Sequence, residues 1–212
     1  MKSNLKNIIE AVSNGDDEGI IMLVKEALEN RIPAIDILND GLVTGIQALG
    51  NLFKDGKAYL PEILISVRAM NRGLEVLQPH LSAKDLGHKG TVVLGTVEGD
   101  IHDIGKNLVG MMLKSNGFNV IDIGVDVPDA SFVEAVKDNK ADIVAMSALL
   151  TTTMVSIPPV IKALKEAGLK DKVKVLVGGA AVTRDYADEI GAEGFAVDCV
   201  SAVDEANRLM KI

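Results

Sequence analysis

The chain has 212 residues, 48% of them hydrophobic but only 3% aromatic, so its core is expected to be aliphatic. A formal net charge of −8 with no basic cluster argues against nucleic-acid binding, which needs a positive footprint, and no apolar run approaches the length of a membrane span. The start Met1-Lys2-Ser3-Asn4 has no signal-peptide character, and the single cysteine, Cys199, cannot close an intrachain disulfide; both fit a cytoplasmic location.

Residues 1–86 read as a helical domain. Leu5, Ile8, Ile9 and Val12, then Ile20, Val24, Ala27 and Leu28, predict two amphipathic helices parted by the turn Asn14-Gly15-Asp16-Asp17. Behind Pro33, the residues Ile35, Leu38, Leu42, Ile46, Leu49 and Phe53 step by three or four. Ile63, Val67, Met70, Leu74 and Leu77 do the same behind Pro61. Four helices on short connections predict an antiparallel bundle. The polar stretch Leu81–Lys89 reads as a linker.

Over residues 90–212 the period changes. Apolar, β-rich runs at Thr91–Val97, Asn119–Val125, Ile143–Leu149, Lys174–Val177 and Gly194–Val197 alternate with helical segments at Ile104–Ser115, Ala130–Asn139, Pro159–Ala167, Arg184–Ile190 and Ala202–Met210. Near-continuous apolar strands alternating with helices predict an α/β, doubly wound, Rossmann-like domain with a five-stranded parallel sheet.

In such a sheet the loops after the strands share one rim, where ligands bind. The first carries Gly99-Asp100-Ile101-His102-Asp103-Ile104-Gly105, the third Ser147-Ala148-Leu149-Leu150-Thr151-Thr152-Thr153, and the fourth Gly178-Gly179-Ala180. Each alone has an ordinary explanation: a solvated histidine, a hydroxyl-rich turn, a tight strand exit. Together they place one imidazole, a neighbouring carboxylate, small hydroxyls and bare backbone on the same rim. A carboxylate two residues from a histidine can take its second ring N–H and hold the imidazole as a ligand.

Asp100-x-His102-x-x-Gly105, followed by Ser147-x-Leu149 and Gly178-Gly179, resembles the signature of cobalamin-binding proteins. The helical segment Leu52-Phe53-Lys54-Asp55-Gly56-Lys57-Ala58-Tyr59-Leu60-Pro61 with Arg68-Ala69-Met70 is similar to the cap module of cobalamin-dependent methionine synthase and of small corrinoid proteins of methyltransferase systems. The resemblance implies a cobalamin or related corrinoid bound base-off/His-on, with His102 as the lower cobalt ligand and Asp100 as its hydrogen-bond acceptor. Thr153 stands where methionine synthase has a serine, keeping the hydroxyl of a relay that couples protonation to the cobalt oxidation state. Gly99, Asp103, Ile104 and Gly105 would lie at the cofactor. Ser147, Leu149, Thr151, Gly178, Gly179 and Ala180 would line the slot for its nucleotide tail. Small residues are expected to matter there, so that Gly179→Val would disturb the slot and spare the fold. Tyr59, Leu60 and Met70 would lie near the upper corrin face, under a cap that swings on the linker.

The family's activity would be methyl carriage. A donor-specific methyltransferase (methylamine, quaternary amine, methanol or aryl methyl ether) would methylate Co(I), and a second would draw the methyl from methyl-Co(III) to tetrahydrofolate or coenzyme M. A reductive activase would be a further partner. The chain would then be a non-catalytic subunit, since no folate barrel or zinc thiolate cluster is visible in it. A cobalamin-based sensor is the alternative, though this chain contains no tryptophan for the motif of sensor caps and no DNA-binding segment.

Overall fold

Apolar residues spaced three and four apart wind the N-terminal part of the chain into helices that close on an aliphatic interior. These are α1 (Lys2–Asn14), α2 (Gly19–Glu29), α3 (Ala34–Asp36), α4 (Thr44–Lys54) and α5 (Leu60–Leu77). The computed structural model describes residues 2–81 and 89–212, which divide into the units Met1–Gly87 and His88–Ile212. Most of the expected linker Leu81–Lys89, including His88, lies outside the described residues.

The sequence predicts one helix across Ile35–Phe53. The structure keeps one helical run, but a π-helical segment, Ile37–Val43, joins α3 to α4 and widens its middle. The Thr44 hydroxyl donates to the Asn39 carbonyl, five residues back, at 2.9 Å. Packing against α1 explains the small residues here. A Cβ on Gly41 would lie 2.9 Å from Ile8 Cγ2, and one on Gly45 2.7 Å from Val12 Cβ. The buried Ser66 hydroxyl ties α5 to α1 by donating to the Val12 carbonyl at 2.6 Å. Ile8, Ile20, Leu42, Ile46, Ile63, Met70 and Leu77 are fully buried in this unit.

The C-terminal unit alternates β1 (Thr91–Thr96), α6 (Ile104–Ser115), β2 (Asn119–Asp122), α7 (Asp129–Asn139), β3 (Ile143–Ser147), α8 (Ile157–Glu166), β4 (Lys174–Gly178), α9 (Arg184–Glu189), β5 (Gly194–Ala196) and α10 (Cys199–Met210). The strands are parallel in the order β2-β1-β3-β4-β5, so the winding reverses between β1 and β3. Successive strand side chains point to opposite faces. Val93, Val144, Val175 and Val177 pack with Phe132 and Val136 of α7 and Val160 and Leu164 of α8. Leu94 faces α6, where a Cβ on Gly110 would come within 3.1 Å of it, and Leu176 approaches Leu209 of α10 around Gly194.

Several element ends differ from the sequence reading by one to three residues, and three of them have a plain local cause. β2 stops at Asp122 rather than Val125: Gly124 turns to φ +92° and breaks the regular strand, while the chain stays bonded to β1 through Ile123, Gly124 and Val127. α8 starts two residues earlier than expected, with Pro158 and Pro159 in a first turn whose N–H groups have no helical acceptor anyway. α10 starts three residues early: Asp198 Oδ1 accepts the N–H groups of Val200 and Ser201, and Ser201 Oγ accepts that of Asp198. No described helix is long and apolar enough to cross a membrane.

Candidate functional site

The reversal between β1 and β3 opens a crevice at the carboxyl ends of the strands, the position where open α/β sheets bind ligands. Two loops flank it, residues 97–103 after β1 and residues 148–153 after β3. Asp100 joins them. Its side chain is fully buried, and both oxygens are used. Oδ1 accepts the His102 backbone N–H at 3.0 Å and His102 Nδ1–H at 2.7 Å. Oδ2 accepts the Leu149 N–H at 2.8 Å and the Thr153 hydroxyl at 2.6 Å. Burial opposes ionisation of this carboxyl, but the hydrogen bonds from Thr153, Leu149 and His102 outweigh it and hold the group well below the usual carboxylate range.

The imidazole is thereby set in one tautomer. A carboxylate only accepts, so Nδ1 carries a proton, and in the neutral ring the lone pair lies on Nε2. Nε2 takes no hydrogen bond from any described residue, and the side chain is 48% exposed on the rim. The backbone behind it is also fixed, because the buried Thr96 hydroxyl donates to the His102 carbonyl at 2.9 Å.

Asp103 precedes α6, and its carboxylate and carbonyl accept the side-chain and backbone N–H groups of Asn107. Gly99, at φ +83°, and Gly105 are exposed, and a Cβ on Gly105 would meet nothing within 4 Å. Thr153 is buried, while Leu149, Thr151 and Ala180 are exposed and Ser147, Gly178 and Gly179 half-buried.

The glycine pair has a structural role of its own, which corrects the expectation that Gly179→Val would spare the fold. Gly179 sits at φ +116°, and a Cβ there would lie 2.1 Å from the Ala148 carbonyl oxygen. On Gly178 it would lie 2.7 Å from the Ala196 carbonyl oxygen. These obstacles are backbone and cannot step aside.

Large apolar side chains surround the imidazole's rim. Ile101 and Ile104 are each 74% exposed, and Val125, Leu149, Leu150, Val155 and Val197 are also exposed in, or just after, the connections leaving the strands. In the described part of this unit, Ile212 is the one exposed large hydrophobic elsewhere. Apolar surface gathered on one rim marks a binding face. In the helical unit, Tyr59 is an exposed residue before α5 whose N–H is held by the Glu62 carboxylate, Leu60 is exposed beside it, and Met70 is buried in the bundle.

Two participants carry no signal in the sequence. Thr96 looks like any β-branched strand residue, and Asp126 like an ordinary turn aspartate. Asp126 instead accepts the Gly99 N–H on Oδ1 at 2.7 Å and donates its own N–H to the Asp100 carbonyl at 2.9 Å.

A doubly wound sheet that presents a carboxylate-held imidazole amid exposed aliphatic side chains defines an α/β ligand-binding module with one imidazole free to ligate. Comparison with known proteins specifies the class. Residues 90–210 match the B12 binding domain family, and residues 5–78 match a second family described as B12 binding domain. The chain is 42% identical over 211 residues to a corrinoid protein of Desulfitobacterium hafniense, covering 98% of each chain. It is 45% identical over 199 residues to trimethylamine corrinoid protein 1 of Methanosarcina acetivorans, covering 92% of each. The fold is similar to a chain of the methanol:cobalamin methyltransferase complex MtaBC from Methanosarcina barkeri, with a TM-score of 0.85 and 32% identity over 99% of this chain and 80% of that one. The chain belongs to the corrinoid proteins built on B12 binding domains.

The residues present fit that cofactor. Among the described residues, no group of three or more His, Cys, Asp or Glu side chains could hold a bare metal ion. A corrinoid would bring most of its metal's ligands with it, so the single imidazole of His102, with no hydrogen bond on Nε2 from a described residue, would suffice to hold it.

Proposed function

We propose that this protein is the methyl-carrying corrinoid subunit of a methyltransferase system, with His102 as the lower cobalt ligand. The observation that carries the ligand assignment is the four-bonded Asp100 carboxylate, which fixes the ring through Nδ1 and leaves Nε2 without a hydrogen-bond partner among the described residues. When bound, the corrinoid supplies a cobalt centre able to accept a methyl group and give it up, and the protein binds, orients and tunes it.

Asp100 stays ionised in the interior, and its hydrogen bond to Nδ1 resists rotation of the imidazole. Thr153 and the Leu149 N–H hold the second oxygen, which ties the ligand loop to the loop after β3. Gly99, Asp103, Ile104 and Gly105 would contact the corrin around His102. Ser147, Leu149, Thr151, Gly178, Gly179 and Ala180 would border the nucleotide tail.

Relatives named for trimethylamine, and a structural neighbour described as part of a methanol:cobalamin methyltransferase complex, support a donor-specific methyltransferase as partner. Methylated amines and methanol are therefore the first donors to test. A second methyltransferase acting on tetrahydrofolate or coenzyme M, and a reductive activase that returns oxidised cobalt to use, complete the proposed set in the cytoplasm.

Reconstituted with hydroxocobalamin and reduced to cobalt(II), the wild type should show nitrogen superhyperfine splitting in its EPR spectrum that changes from triplets to doublets when its histidines carry 15N, and His102→Ala should lose that response to the label. Wild-type splitting that ignores the label comes from the cofactor's own base and would remove His102 from the cobalt.

A further inference from the structure

The ligand loop is clasped from a direction that neither His102 nor its carboxylate partner supplies. After β2 the chain runs alongside the end of β1: Thr96 N–H donates to the Gly124 carbonyl, and Val127 N–H to the Thr96 carbonyl, both at 3.0 Å. Between these points Asp126 turns its backbone to φ +53°, a left-handed conformation that glycine adopts freely and asparagine and aspartate more readily than other side chains. In that conformation it makes two reciprocal bonds to the ligand loop. Its carboxylate accepts from Gly99 at 2.7 Å, and its N–H donates to the Asp100 carbonyl at 2.9 Å. Gly99 is itself at φ +83°, so two left-handed residues face each other across the clasp. A strained backbone is kept where the surroundings demand it, and such residues cluster at functional sites.

The geometry points to Asp126 as a positioning residue for the lower ligand: by clamping the Gly99–Asp100 peptide, it holds the His102 loop in its ligating shape before the corrinoid arrives. The Asp100 carboxylate fixes the imidazole and ties it to the loop after β3; the clasp adds a tie from the Asp100 backbone to the segment after β2. Asp100 N–H donates to the Val97 carbonyl at 3.1 Å within the loop itself, and Thr96 secures the far side of His102. Asp126 supplies the tie to another element on the near side. This inference rests on His102 being the cobalt ligand.

Three variants separate the possible roles of Asp126. Asp126→Asn keeps an acceptor oxygen and tolerates positive φ. Asp126→Gly relieves the backbone and removes the acceptor, and Asp126→Ala removes the acceptor while keeping the strain. In the apo full-length protein, the Gly99 amide should be protected from hydrogen exchange in the wild type and in Asp126→Asn. It should lose that protection in Asp126→Gly and Asp126→Ala. On reconstitution, the glycine and alanine variants should bind hydroxocobalamin about tenfold more weakly and show a reduced fraction of imidazole-split cobalt(II) signal, with the asparagine variant near wild type.

Wild-type behaviour of Asp126→Gly in both measurements would overturn the clasp, and glycine keeps that test valid should the alanine variant misfold. An asparagine variant as weak as the glycine one would mean that charge, not the hydrogen bond, matters, and would overturn it too. A wild-type spectrum without His102-dependent splitting sinks the ligand reading, and the positioning role with it. Normal wild-type splitting with unaffected variants sinks the clasp alone.

Discussion

At the residue scale, Asp100 is the group whose chemistry is most constrained. Both oxygens face donors, so an amide in its place must turn an NH2 toward one donor pair. Asp100→Asn is expected to destabilise the protein by roughly 1.5–3 kcal/mol at neutral pH, the range for hydrogen bonds to a charged group, measured by urea unfolding. The pH dependence has a definite sign. A carboxyl held below its usual range in the folded state contributes stability that is present above the unfolded value, and that contribution disappears as pH falls through the folded one. The gap between wild type and Asp100→Asn should therefore be constant around neutrality and shrink only below about pH 4. A gap that widens in acid would show that Asp100 enters the fold protonated. Thr153 gives a complementary case. Thr153→Ser keeps the hydroxyl at 2.6 Å from Asp100 and should match the wild-type cobalt(II) spectrum. Thr153→Val leaves Oδ2 one donor short and should destabilise by about 1–3 kcal/mol.

At the element scale, the exit of β4 and the outer edge of β5 show how the rim is kept in shape. Gly178 and Gly179 let β4 leave the sheet between the carbonyls of Ala196 and Ala148, where no side chain fits. Gly179→Ala combines a steric clash with backbone strain and should destabilise by about 2–3 kcal/mol or more, seen as a lower urea midpoint in apo protein. A stable apo variant with reduced corrinoid affinity would return the glycine to a purely ligand-facing role. On β5, Arg208 donates to the Glu193 carbonyl and Arg184 to the Phe195 carbonyl at 3.2 Å, while Glu205 holds both guanidinium groups. Carbonyls occupied in this way are closed to strand addition by another chain. The double variant Arg184→Ala/Arg208→Ala should therefore self-associate more readily in sedimentation, with its corrinoid site intact.

At the scale of the whole molecule, the groups that set the imidazole (Thr96, Asp100, Asp126, Leu149 and Thr153) all belong to one unit. That unit has its own core of Val93, Phe132, Val144, Val175 and their neighbours. A fragment of residues 89–212 should therefore fold and bind hydroxocobalamin with imidazole-split cobalt(II) EPR. Failure of a folded fragment to ligate cobalt would mean that the helical unit contributes to the lower ligand. The sequence by itself determined the two periods of the chain, the five strands and the helices between them. It also named Asp100 and His102, because hydrophobic spacing and a contiguous motif are local properties, while Thr153 came from the resemblance to methionine synthase. Only the tertiary structure decided what depends on segments far apart in the chain. Leu149 and Thr153 meet Asp100 because β1 and β3 pair, Asp126 clasps Gly99 because β2 runs on the other side of β1, and the Gly178–Gly179 pair is fixed by carbonyls of two neighbouring segments. A helix widened to π geometry where Gly41 and Gly45 meet α1 belongs with these, since each is set by the close approach of backbones that no local pattern encodes.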